Sequence, residues 1–155
     1  LFSLSIEFMA DLGLLRSKPF KSDYRWISSE SFQFTDDKSG RLMSIHLKVQ
    51  ESKTINPGHI GIFLHHDEDE ESDDATPLVT DDDAPTLSLS GWELGVVLPC
   101  GEKIVRAMKD SNLGAHGMGW PSFVEPNQIP NGASSLVVTC SITNYHRVAL
   151  KTREL

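Results

Sequence analysis

Leu42-Met43-Ser44-Ile45-His46-Leu47-Lys48-Val49 alternates with period two across eight residues. Met43, Ile45, Leu47 and Val49 fall on one side of an extended chain, whose side chains point alternately to opposite faces. A helix would instead space its apolar residues three and four apart. The pattern predicts a β-strand with one face towards a core.

The same period recurs on either side. Leu4–Met9 and Ser31–Thr35 alternate, and Asp36-Asp37-Lys38-Ser39-Gly40 reads as a turn. Asn56-Pro57-Gly58 is a second turn, leading into the strand His59–Leu64. Leu87–Ser90 and Trp92–Leu98 predict strand character, with a bulge expected at Gly91 between them. Leu136–Thr143 alternates again, and the tail His146–Leu155 reads as its extension. Asp11–Ser17 predicts one helical turn with Asp11 as its N-cap, and Glu102–Lys109 admits either helix or strand. Gly117-Met118-Gly119-Trp120-Pro121-Ser122-Phe123 sets bulky side chains beside backbone that only glycine permits, as at a sheet edge or a strand start. Six to eight short strands in series with hairpin-length and longer connections predict an all-β fold, an antiparallel sandwich or barrel. No linker divides residues 1–155, which read as one domain with an acidic insertion at about 67–84.

Charge is unevenly placed. The net charge is −8, yet residues 67–83 hold 10 of the 22 acidic residues and no Lys or Arg. The remainder carries 14 basic and 12 acidic residues and is nearly neutral. So many like charges repel one another and stay solvated, so the acidity belongs to one loop. No basic stripe marks a nucleic-acid interface, and no apolar run approaches the ~18–20 residues that span a bilayer. The chain opens at Leu1 without Met or a signal-peptide pattern, and reads as a piece of a longer protein. Two cysteines, Cys100 and Cys140, are few for a secreted domain, which points to a reducing, cytoplasmic setting. The sequence leaves a bond between them open, and Cys140 sits in an apolar strand pattern as a small hydrophobe would.

The order of these pieces resembles the MATH domain, the TRAF-like fold, which implies an antiparallel β-sandwich of about seven to eight strands rather than a barrel. Leu4-Ser5-Ile6-Glu7-Phe8-Met9-Ala10-Asp11-Leu12 is similar to the family's opening strand. Gly40–Val49 followed by Gly58-His59-Ile60-Gly61-Ile62-Phe63-Leu64 resembles its next paired strands. Gly119-Trp120-Pro121-Ser122-Phe123 is similar to its Gly-aromatic-x-x-Phe signature, and Leu136–Ile142 to its last strand. The pieces fall in the family's order over nearly the whole chain. The resemblance implies a module that binds short linear peptides of a partner protein by adding them to a sheet edge, as an adaptor in signalling or ubiquitin pathways. The matching peptide-binding positions are Phe63, Met118, Gly119 and Trp120. The chain departs from the family where Gly117 and Met118 stand in place of a peptide-contacting Asp and Trp, so its specificity must differ.

No cofactor, metal or catalytic residue is expected. Gly-x-Ser-x-Gly, the phosphate-binding Gly-Lys loop and His-Glu-x-x-His are all missing. The nearest thing to a nucleophile and base is Cys100 with His116, and nothing in the sequence brings them together. His59, His65 and His66 precede carboxylates without the spacing of a calcium loop, and read as a solvated strand end. The alternative is a structural, assembly or carbohydrate-binding jelly-roll-like sandwich, for which Trp26, Trp92 and Trp120 are the candidate sugar-stacking aromatics. With no heptad run, the segment is expected to be a monomer or weak oligomer.

Overall fold

The first strand, β1 (Phe2–Asp11), runs straight into a six-residue helix, α1 (Leu12–Ser17). The structure, a computed structural model, describes residues 2–36, 40, 42–66, 87–113, 117–130 and 133–144. Asp11 caps α1, its carboxylate accepting a 3.0 Å hydrogen bond from the Leu14 amide. Leu12 and Leu15, three apart and so on one face, are fully buried. Arg25 holds the other end of the helix. Its Nη1 donates to the Arg16 and Lys18 carbonyls, Nε and Nη2 donate to Glu51, and the group lies 4.3 Å from the Phe20 ring centroid.

Eight further strands complete the chain's described elements: β2 (Tyr24–Ser28), β3 (Phe32–Thr35), β4 (Leu42–Ser52), β5 (Ile60–His66), β6 (Leu87–Val97), β7 (Lys103–Leu113), β8 (Met118–Val124) and β9 (Ser135–Asn144). A 3₁₀ turn, Pro126–Gln128, lies between the last two. One antiparallel sheet has the order β1-β9-β6-β7, and the other β2-β4-β5-β8 with β3 also paired to β4. The protein is therefore an all-β antiparallel sandwich. Its described strands number nine rather than seven to eight, because β2 and β3 take separate lengths of β4: Tyr24–Ser28 faces Ser52–Lys48, and Phe32–Thr35 faces Ile45–Leu42.

Residues directly opposite in an antiparallel ladder share a face. In the first sheet the inner face carries Leu4, Ile6 and Ala10 of β1, Leu136, Val138, Cys140 and Ile142 of β9, and Trp92, Leu94 and Val96 of β6, all buried. In the second it carries Ile27, Ile45, Leu47, Val49, Ile62 and Leu64. These two faces merge into one core cluster, capped by Leu12 and Leu15 of α1. The odd-numbered apolar face of Leu42–Val49 is thus the core face, as its period implies. The bulge expected at Gly91 is not there: β6 keeps one register with β7 from Leu87 through Gly91 to Val97. Glu102–Lys109, open between helix and strand, is an edge strand. The acidic run and the tail His146–Leu155 lie outside the described residues.

Asp23 ties the outer end of β4. Its carboxylate accepts hydrogen bonds from the Ser52 hydroxyl at 2.5 Å, the Thr54 hydroxyl at 2.6 Å and the Thr54 amide at 3.0 Å. Those bonds, led by Ser52, hold its pKa below the ordinary 3.8. The unfolded chain then binds more protons, so this stabilisation is present above 3.8 and lost as pH falls through the folded value. Asp23→Asn is expected to flatten the acid limb of the stability–pH profile below 3.8. Urea midpoints measured across that range would check it, and superimposable acid limbs would refute it. In the core, Leu94→Ala should lower unfolding free energy by about 2–5 kcal/mol, whereas the exposed Val105→Ala should change it by about 0.5 kcal/mol or less.

Candidate functional site

Among the described strands β8 pairs with β5 alone, so its other side is an open edge of the second sheet. Two glycines set its course. A Cβ on Gly119 would overlap the Ile62 carbonyl oxygen and stand 2.7 Å from the Phe63 Cα. Only a residue without a side chain lets β8 come this close to β5. Gly117, at φ +71°, sits against the His65 imidazole, whose atoms a Cβ would meet at 2.6–2.7 Å. The glycines flanking Met118 thus serve contacts within the protein.

The pairing runs Leu64↔Met118, Phe63↔Gly119 and Ile62↔Trp120, then shifts, so that Ile60 meets Val124. Four residues of β8 span what two residues of β5 span, and Pro121 and Ser122 lie in the resulting bulge. His59 Nδ1 and the Ser122 hydroxyl are hydrogen-bonded across it. Proline suits this place, since an edge strand loses least from a missing N–H.

Register decides where the candidate residues point. Met118 and Trp120 share a face with Leu64 and Ile62, so both look into the space between the sheets, where they are half-buried against the core. Phe63 is one position out of phase and lies on the opposite, outer face of the sheet, beside Gly119. The structure therefore brings Met118 and Trp120 together and sets Phe63 across the sheet from them. A single pocket lined by all three does not form. Sequence could not reveal this, because the parity of two strands follows only from how they pair.

Trp120 joins the two sheets. Its ring centroid is 5.5 Å from that of Trp92 on β6 and 5.8 Å from that of Phe123, distances at which aromatic pairs attract. Arg106 of β7 covers this group, its guanidinium 5.9 Å from the Trp120 centroid and 5.5 Å from that of Phe123. The edges β7 and β8 thus lie one above the other on the same side of the sandwich. Arg106 lacked a motif at the sequence level; its only signal was a cation amid an apolar run.

The aromatics proposed for sugar stacking do not form a platform. Trp92 is 3% exposed on the inner face of the first sheet, Trp120 is on the inner face of the second, and Trp26 is on that sheet's outer face with Lys48 Nζ 4.8 Å from its ring centroid. Nor is His65 a solvated strand end: it is buried, and its ring stacks 5.7 Å from that of His46. Among the described residues no three His, Cys, Asp or Glu side chains converge as metal ligands, and no helix is long and apolar enough to cross a membrane. His116 lies outside the described residues, as does the side chain of His66. Both cysteines are free; burial, then the Glu93 charge, pushes the Cys140 thiol up to about 12, while Cys100 is exposed. No protein-family model and no curated protein matches the chain.

Gly119→Ala is expected to cost about 1–3 kcal/mol, since either the β5 or the β8 backbone must shift. Amide exchange should locate the loss in β8. Unchanged protection there would mean the close approach is dispensable.

Proposed function

We propose that the chain is a peptide-binding module of the MATH, TRAF-like kind, which takes a short linear segment of a partner protein as an added strand on β8. The observation that carries this reading is that the Gly119-Trp120-Pro121-Ser122-Phe123 signature lies on an open sheet edge, with Met118 and Trp120 half-buried beside it. The other resembling pieces lie on β1, β4 with β5, and β9.

Physical chemistry makes such an edge useful. Strand addition pairs main-chain N–H and C=O groups irrespective of sequence, and side-chain contacts then choose among peptides. Alternate residues of an added strand point to opposite faces. Those pointing inward would meet Met118, whose flexible thioether adapts to varied apolar partners, and Trp120, a residue type favoured as an interface anchor. Those pointing outward would meet Phe63, with no side chain at Gly119 standing between. The split of the candidate residues over two faces is compatible with one extended peptide, though not with one pocket. The role is equilibrium binding, as in an adaptor for signalling or ubiquitin-pathway proteins, in a cytoplasmic setting. The carbohydrate-binding alternative loses its main support with Trp92 buried.

Selection of displayed random linear peptides on the domain should enrich one motif. Met118→Glu and Trp120→Ala should each abolish that enrichment, with folding checked by circular dichroism. A folded, unmutated domain that enriches nothing would sink the reading.

A further inference from the structure

Resting on that peptide-binding reading, we propose that Arg106 makes the edge selective for peptides carrying an Asp or Glu side chain two residues from an apolar one.

Arg106 pairs with Leu94, which puts it on the inner face of β7 with the half-buried Ile104 and Met108 on either side. It is exposed all the same, because β7 is an edge strand. Its guanidinium lies over Trp120 and Phe123, the aromatic residues of the edge where a peptide would add. Ring contacts do not consume the five N–H donors of the guanidinium plane. Among the described residues no carboxylate pairs with Arg106 and no oxygen accepts from it, whereas Arg25 is ion-paired with Glu51.

Arg25 supplies the internal comparison. It too lies over an aromatic ring, yet its donors are taken by Glu51 and two backbone carbonyls. Arg25 is built into the fold. Arg106 has the same aromatic seat and no acceptor among the described residues, which suits a planar, bidentate partner arriving from outside.

The geometry of strand addition gives the spacing. Neighbouring strands lie about 4.8 Å apart and residues two apart share a face. An added strand would present one inward side chain beside Met118 and the next beside Trp120, beneath Arg106. Pairing cannot extend further through Pro121, which has no N–H. An apolar residue fits the first place and a carboxylate the second. The described side chains of β7, 103–109, include Lys103, Arg106 and Lys109 and no carboxylate to repel it. The net charge of −8 gives no long-range attraction for an acidic peptide, so the preference would arise at contact.

The test compares the unmutated domain with Arg106→Gln and Arg106→Lys in the same display selection, followed by binding of one selected synthetic peptide and its Glu→Gln counterpart. The unmutated domain should enrich Asp or Glu two positions from an apolar residue, and should bind the Glu→Gln peptide about tenfold more weakly. Arg106→Gln should keep the apolar position and bind both peptides alike, and Arg106→Lys should fall between. Two results would overturn the proposal while leaving peptide binding intact: an enriched motif without an acidic position, or an acidic preference that survives in folded Arg106→Gln. The peptide pair on the unmutated domain decides the matter even where the variants fold poorly. Enrichment of nothing by the folded domain would instead remove the peptide-binding reading itself.

Discussion

The close approach of β8 to β5 at Gly119 is the constraint on which the rest of this edge depends. Where a Cβ would overlap the Ile62 carbonyl oxygen, the two backbones meet. That meeting sets Trp120 opposite Ile62 and turns it inward, and sets Phe63 outward. Once Trp120 points inward it reaches Trp92 on the other sheet, and the sandwich is joined by an aromatic pair 5.5 Å apart at the side where both sheets end. The bulge beyond it carries Phe123 back into the core and leaves Pro121 exposed. A side chain at position 119 would therefore do more than loosen one ladder. It would disturb the register that orients every other residue of the edge.

How much of this was legible in the sequence depends on burial. Strands with one face on the core and one in water alternate cleanly, and Leu42–Val49 and Leu136–Thr143 were readable for that reason. The cap at Asp11 was readable because a carboxylate before a short apolar helix satisfies an amide locally. β7 was not readable, because an edge strand excludes little water: Ile104, Arg106 and Met108 share its inner face, and Val105 shares the outer one with Lys103 and Ala107. β2 was missed because only Ile27 of its five residues is buried. The candidate site was half legible. The Gly119–Phe123 signature marked the edge, but the separation of Phe63 from Met118 and Trp120 comes from pairing, which one sequence does not display.

The outer face of the second sheet departs from the simple expectation that polar positions of an alternating strand are wet. His46 is 1% exposed although it alternates with the buried Ile45 and Leu47. It stacks on His65, whose ring in turn fills the space left by Gly117 and lies edge-on to Phe63. Imidazole rings are flat and amphipathic, so they can pack like aromatics where a charged chain could not. The pair also supports the strand entering β8 from behind, since Gly117 precedes Met118 directly.

An open strand edge is a hazard as well as an opportunity, because any extended chain can pair with it. β8 limits the hazard by being short: its regular pairing with β5 covers Met118 to Trp120 before Pro121 and the bulge interrupt it. An added strand gains few main-chain hydrogen bonds there, each worth about 0.5–1.5 kcal/mol net. Main-chain pairing alone would then bind any peptide weakly, and useful affinity has to come from side chains that fit Met118, Trp120 and their neighbours. On the peptide-binding reading, the same proline that restrains aggregation also makes recognition selective. It would limit the sequence-independent part of the binding energy and leave most of the affinity to the side chains that discriminate.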